Sequence, residues 1–357
     1  MSVASVPIFD PATPSAVAPE SRLIDSHGRT LTDLRLSVTG RCNFRCVYCR
    51  TGTGGAQSSE LPLDDYARIL RLFVSLGIEK IRLTGGEPLL RDGLLDLVRS
   101  TAELHSPFTT DPLDIALTTN GFDLARLAKP LKDAGLSRVT VSMDAVDAET
   151  FDRITRVPNS FQRVLDGIHA AQDAGLGPVK VNCVLLRGFN DSQVEAFAHF
   201  ARNERVILRF IEFMPLEEAS NAPGASHWSP DTVVPLEEIV ARLNTVRPLV
   251  PLPANHLSET ARRFTFDDGL GEIGIIAPVS HPFCGHCSRV RLTSDGKVRT
   301  CLFSQIDHDL ISRMRRGDPD ADLRSWIREV VHGKEARHHI GEPGFIKPLR
   351  SMVQIGG

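Results

Sequence analysis

A chain of 357 residues, 41% of them hydrophobic, can bury a core of its own and needs no framework of disulfides to fold. Its 41 Lys and Arg against 44 Asp and Glu leave a formal net charge of -3, so the overall balance attracts neither nucleic acid nor an anionic membrane. No apolar run approaches the roughly 18 residues of a membrane span, and the first 21 residues lack a basic stretch followed by an apolar core; a soluble, cytoplasmic protein is expected.

Residues 1–21, rich in Pro, Ala, Ser and Val without periodicity, read as a flexible leader. From there short apolar runs alternate with longer amphipathic segments, the pattern of βα units and a parallel sheet. Strands are predicted over 34–39, 80–84, 113–119, 138–143, 180–186 and 207–213. Helical spacing of apolar residues marks 66–76 (Ile69, Leu70, Phe73, Leu76) and 161–174 (Val164, Ile168, Ala171). Six such units predict an α/β core over 22–214, as a partial barrel or an open sheet. Past Met214 the pattern gives way to Pro, Gly, Ser and Asn over 215–232, which predicts a boundary. Residues 215–357 then read as a smaller capping domain, with a helix near 236–246, strands over 263–266 and 272–276, and an Arg-rich helical tail ending at Gly356-Gly357.

Of seven cysteines, six fall into two tight groups, and Cys183 stands alone in an apolar run as a small buried hydrophobe. Such grouping suits metal centres in a reducing compartment better than disulfides. Cys42, Cys46 and Cys49, spaced C-x3-C-x2-C, directly follow the first strand, at the carboxyl end where parallel sheets build their sites. Three thiolates leave one iron of a [4Fe-4S] cluster open to an external ligand. Structural zinc would need a fourth protein ligand, which the following residues do not offer. Cys284 and Cys287, with Cys301 further on, are again three; His281 or His286 could complete a zinc site there, so on spacing alone cluster and zinc both stand. Arg35 and Arg82 interrupt otherwise apolar strands, where a charge is costly without a partner.

The first cysteine spacing, with Tyr48 before its last member and Arg82-Leu83-Thr84-Gly85-Gly86-Glu87-Pro88 closing the second strand, resembles the radical S-adenosylmethionine superfamily. The resemblance covers nearly all of residues 22–357. It implies a partial (βα)6 TIM-like barrel and a cluster whose open iron takes the amino and carboxylate groups of S-adenosylmethionine, which one-electron reduction splits to a 5′-deoxyadenosyl radical. Matched residue by residue, Tyr48, Gly86, Ser142 and Met214 line the S-adenosylmethionine pocket.

The run from Phe283-Cys284 to Cys301-Leu302-Phe303, with Arg289-Val290-Arg291-Leu292-Thr293 and Asp295-Gly296 inside it and a terminal Gly-Gly, resembles the GTP 3′,8-cyclases of molybdenum cofactor biosynthesis. That likeness implies a second [4Fe-4S] cluster on Cys284, Cys287 and Cys301, in a smaller C-terminal domain, whose open iron meets the guanine of GTP. It implies GTP binding by Arg35, Arg82, Thr118, Lys180, Arg289, Val290 and Arg291, a part in the reaction for Arg289, Arg291 and Arg209, and a Gly-Gly tail that reaches the site. The partners implied are GTP, an external one-electron donor and, downstream, a cyclic pyranopterin monophosphate synthase, around a monomer or homodimer. Arg50-Thr51 departs from the family's usual Met-Pro. Two rivals are weighed: a radical enzyme that modifies peptides, whose auxiliary domains carry more cysteines, and a zinc-stabilised nucleotide-binding protein.

Overall fold

Alternation along the strands decides which side becomes core and which becomes site. In β1 (Asp33–Ser37) Leu34 and Leu36 are fully buried on one side, and Asp33, Arg35 and Ser37 turn to the other. The computed structural model describes residues 21–49, 60–216, 227–348 and 350–355. In it the same alternation runs through β2 (Lys80–Thr84), β3 (Asp114–Thr119), β4 (Arg138–Ser142), β5 (Lys180–Leu185) and β6 (Ile207–Glu212). These six strands lie side by side in chain order, each parallel to the next, within a residue or two of the predicted runs.

Helices cross between them and cover the apolar face. In α1 (Leu63–Ser75) a stripe of Tyr66, Ile69, Leu70 and Phe73 is buried. It starts three residues ahead of the predicted 66 because Pro62, at φ -53°, is set for a helix entry and Asp64 and Asp65 complement the helix dipole. The other crossovers carry α2 (Leu94–Ala102), α3 (Leu124–Asp133), α4 (Ala148–Thr155), α5 (Phe161–Asp173) and α6 (Val194–Glu204). Cys183 is fully buried in β5.

Residues beyond 232, expected as a capping domain, add their strands to both edges of this same sheet. After α7 (Leu236–Val246) come β7 (Leu249–Leu252), β8 (Arg262–Phe266) and β9 (Glu272–Ile276); β9 runs parallel to β6, with β8 and β7 antiparallel beyond it. At the other edge β10 (Arg289–Leu292) runs parallel to β1, followed by the antiparallel β11 (Lys297–Arg299) and β12 (His308–Asp309). The β10 strand escapes prediction because Arg289 and Arg291 hide the apolar Val290 and Leu292 between them. The chain closes with α8 (Leu310–Arg315), α9 (Asp320–His332) and the short α10 (Met352–Ile355), whose Ile355 is buried in a small second core with Leu216, Phe303 and Ile340. Among the described residues no helix is long and apolar enough to cross a membrane. The leader residues 1–20, Arg50 and Gly356-Gly357 lie outside the described residues.

Candidate active site

The inward side of the sheet lines a cavity of about 300 Å³ whose wall carries both cysteine groups. Cys42, Cys46 and Cys49 sit on the loop after β1. Phe44 anchors that loop, packing edge-on against Phe122 and Phe151 with centroids 5.8 and 6.1 Å away. Backbone N–H groups of Arg45 and Val47 donate to Thr155 and Ile154 at the end of α4, both at 3.0 Å. On the opposite side the turn after β2 is stitched in, with Gly86 N donating to Thr39 O at 2.8 Å and Glu87 N to Arg41 O at 2.7 Å. A Cβ on Gly86 would come within 2.2 Å of Arg41 O, so only glycine permits this approach. The Glu87 carboxylate accepts from Leu89 N, Thr119 Oγ1 and Asn120 N, and Asn120 Nδ2 donates to Asn43 Oδ1 beside Cys42 at 2.7 Å. Burial drives the Glu87 carboxyl up to about 7 despite those donors.

Tyr48, Gly86, Ser142 and Met214 all line the cavity. Tyr48 donates its hydroxyl to Asp144 Oδ2 at 2.7 Å, and Val184 N donates to Oδ1 at 2.8 Å. Burial raises Asp144 to about 6, with those two donors opposing it, and burial beside Asp144 holds the Tyr48 phenol well above its usual range.

Arg35, Arg82, Arg209, Arg289, Arg291 and Thr118 face the same space. Register puts Arg35 directly between Arg291 on β10 and Arg82 on β2. Arg82 donates to Thr118 Oγ1 at 3.2 Å and Thr140 Oγ1 at 3.3 Å. Burial, then the neighbouring arginine charges, lowers Arg35 well below its ordinary value. Burial also brings Arg82 and Arg291 to about 10, which leaves both charged at neutral pH. Lys180 is not on the cavity wall; it opens β5, one inward layer below Asn182, where burial and then Arg209, Arg138 and Arg82 lower it to about 7. Val290 alternates away from Arg289 and Arg291, and its side chain is fully buried in the main core.

Cys284 begins a short turn, Cys287 N donates back to Cys284 O at 3.1 Å, and Cys301 follows β11. Arg289 sends Nε and a terminal nitrogen to Cys287 Sγ, each at 3.4 Å, and stacks 5.1 Å from the Phe283 ring. Burial opposes ionisation of the Cys287 thiol, but Arg289 and Lys334 outweigh it and bring it down to about 6. Because Cys287 precedes β10 and Cys42 follows β1, the five residues of β1 lie between the levels of the two trios; at about 3.3 Å per residue that is roughly 17 Å of strand. All the cysteines are free of disulfides. His281 is tied to Glu237 and Arg262, and neither it nor His286 reaches the cavity. Among the described residues no three His, Cys, Asp or Glu side chains gather around a single-ion site. Two sulfur trios on the walls of one cavity match the donor set of iron-sulfur clusters.

Residues 36–201 match the radical SAM superfamily and residues 206–340 the Molybdenum Cofactor Synthesis C family. The GTP 3′,8-cyclase of Acidothermus cellulolyticus is 46% identical over 314 residues, 86% of this chain and 84% of that one. The GTP 3′,8-cyclase of Moorella thermoacetica is 41% identical over 336 residues, covering 93% and 99%. The chain belongs to the GTP 3′,8-cyclase family.

Among solved structures, Streptococcus suis SuiB bound to its precursor peptide SuiA superposes with a TM-score of 0.59 at 15% identity, over 86% of this chain and 67% of that one. Native anSMEcpe with bound AdoMet gives 0.57 at 14%, over 89% and 93%. At such identities the likeness is of fold alone, and it is the fold expected of a radical SAM enzyme. Several residues that build this cyclase-family site carry no sequence signal. Arg29, paired with Asp25 at 2.6 Å, donates to Cys284 O and Ala336 O at 2.9 and 2.8 Å and so fastens the second trio to the segment after α9. Asp144 lies two residues past Ser142, and Lys334 and His338 come from the tail; only the folded chain brings them to the cavity.

Proposed function

We propose that this chain cyclises GTP to (8S)-3′,8-cyclo-7,8-dihydroguanosine 5′-triphosphate, the first step of molybdenum cofactor biosynthesis, with two [4Fe-4S] clusters and S-adenosylmethionine as cofactors. The observation that carries the reading is the facing of two cysteine trios across one cavity with inward arginines between them. Cys42, Cys46 and Cys49 hold the first cluster. Tyr48, Gly86, Ser142 and Met214 surround S-adenosylmethionine, with Asp144 fixing the Tyr48 ring and the close Gly86 turn presenting backbone to the ligand. Cys284, Cys287 and Cys301 hold the second cluster, nearest the guanine.

When bound, these groups supply a 5′-deoxyadenosyl radical that takes hydrogen from C3′ of GTP, and the electron that completes ring closure at C8. The chain's own work is positioning. A triphosphate brings about four negative charges into a space poor in water, and Arg35, Arg82, Arg209, Arg289 and Arg291 converge there as donors. Lys180, one layer deeper, adds to the same field. Thr118, held by Arg82, offers its hydroxyl to the nucleotide. For Val290 only the backbone is left to face the substrate, since its side chain is in the core. An external one-electron donor and a downstream cyclic pyranopterin monophosphate synthase complete the cytoplasmic setting, around a monomer or homodimer.

Anaerobic reconstitution tests the proposal: about eight irons per chain, and 5′-deoxyadenosine released only when GTP, S-adenosylmethionine and a reductant are all present. A colourless, zinc-loaded protein, or eight irons with no 5′-deoxyadenosine, would overturn it.

A further inference from the structure

Lys334 is a charged side chain with 3% of its surface exposed, and it lines the cavity. A buried ammonium is costly unless its donors are bonded and its charge is balanced. Two of its three donors are bonded: Nζ reaches the carbonyl of Arg289 at 3.0 Å and the carbonyl of Thr300. Those two carbonyls belong to the two segments that bear the second trio, since Arg289 lies two residues after Cys287 and Thr300 immediately precedes Cys301. Both acceptors are neutral, and among the described residues no carboxylate stands within ion-pair distance of Nζ. The neighbouring acid, Glu335, is turned to the Thr300 hydroxyl at 2.6 Å. A fixed cation has therefore been built into the wall beside three cysteines, with its backbone bonds made and its counter-charge still to come.

We propose that Lys334 is the counter-charge of the second iron-sulfur cluster, a positioning residue whose buried positive charge balances the thiolate-bound cluster and eases its reduction. The inference rests on the two-cluster reading above. An ion that binds through three thiolates brings net negative charge to this wall, and each added electron makes it more negative. A cation fixed nearby, in surroundings of low dielectric, favours the reduced form and opposes loss of the cluster. Arg289, whose guanidinium already touches Cys287 Sγ, faces the lumen and is free to engage substrate as well. Lys334 is fastened by backbone on two sides, so its charge stays with the cluster whether or not nucleotide is bound.

The test isolates the second cluster in the full-length chain by replacing Cys42, Cys46 and Cys49 with Ala, then compares Lys334, Lys334→Met and Lys334→Arg by iron content and by an electron paramagnetic resonance redox titration. The parent should hold about four irons; none at all would overturn the two-cluster reading itself, and with it this proposal. Lys334→Met should make reduction less favourable by on the order of tenfold or more, a midpoint lower by about 59 mV for one electron, or should fail to retain iron where Lys334→Arg retains it. Lys334→Arg, which keeps the charge, should stay near the parent in both measurements. The proposal is overturned if Lys334→Met keeps four irons at the parent midpoint, or if the Met and Arg variants behave alike, because then side-chain shape and not charge is what matters.

Discussion

Glu87→Gln tests how the first cysteine loop is held, and the outcome depends on pH in a way that can be worked out beforehand. The buried Glu87 carboxyl titrates at about 7 in the folded chain against an ordinary 4.5. Folded protein thus binds this proton more tightly than unfolded protein. The stability it contributes is fully present below pH 4.5 and is lost as pH rises through 7, by roughly 3 kcal/mol in all for a gap of that size. Gln carries no charge and has no such dependence. Its Oε1 can still accept from Leu89 N and Thr119 Oγ1, but its NH2 then meets Asn120 N, donor against donor, at a cost of about 1–3 kcal/mol. The variant should therefore be the less stable protein at pH 5 and should match or exceed the wild type at pH 8. Thermal unfolding followed by circular dichroism at half-unit steps from pH 5 to 8 reads the difference. Two curves that stay parallel across that range would refute the reasoning, because they would mean that Glu87 is not the group titrating near 7.

Gly86→Ala should displace the cysteine loop, since its Cβ would stand 2.2 Å from Arg41 O; a destabilisation of about 1–3 kcal/mol and loss of S-adenosylmethionine binding in equilibrium dialysis are expected. Arg289→Ala should weaken GTP binding by on the order of a hundredfold while about eight irons per chain remain; iron loss instead would show that its contact with Cys287 Sγ is structural. Tyr48→Phe removes one of the two donors that hold Asp144 down at about 6, so that carboxyl should rise further. The cost should be about 1.5–3 kcal/mol at pH 8, where an ionised acceptor loses its bond, and clearly smaller at pH 5, as melting temperatures at the two values will show.

The parts of the fold that announce themselves in the sequence are those set by near neighbours. Six inner strands, the helical stripe of α1 and the C-x3-C-x2-C loop each follow from periodicity or spacing within a dozen or so residues. What the sequence hides is set by pairing at long range. That the second trio faces the first depends on β10 lying beside β1, two stretches 256 residues apart (Asp33 opposite Arg289), and nothing local in R-V-R-L marks it as an inner strand. For the same reason Arg29 and Lys334 read as ordinary surface charges until their carbonyl partners on distant segments come into view. The inward face of Arg35 and Arg82 was legible, because a charge at a strand position whose neighbours are apolar is costly without a partner. Arg209 and Lys180 sit on strands whose inward layer differs in depth, and only the register tells which of them reaches the cavity.

The arginine row has a thermodynamic reach beyond catalysis. Arg291, Arg35 and Arg82 stand abreast on three adjacent strands, so forming this sheet brings like charges together side by side. A polyphosphate entering there would offset that repulsion. Any anion of that shape should raise the melting temperature, by mass action worth about 2.7 kcal/mol at a hundred times its dissociation constant. On the function proposed above, the substrate would then stabilise the very sheet whose charges receive it.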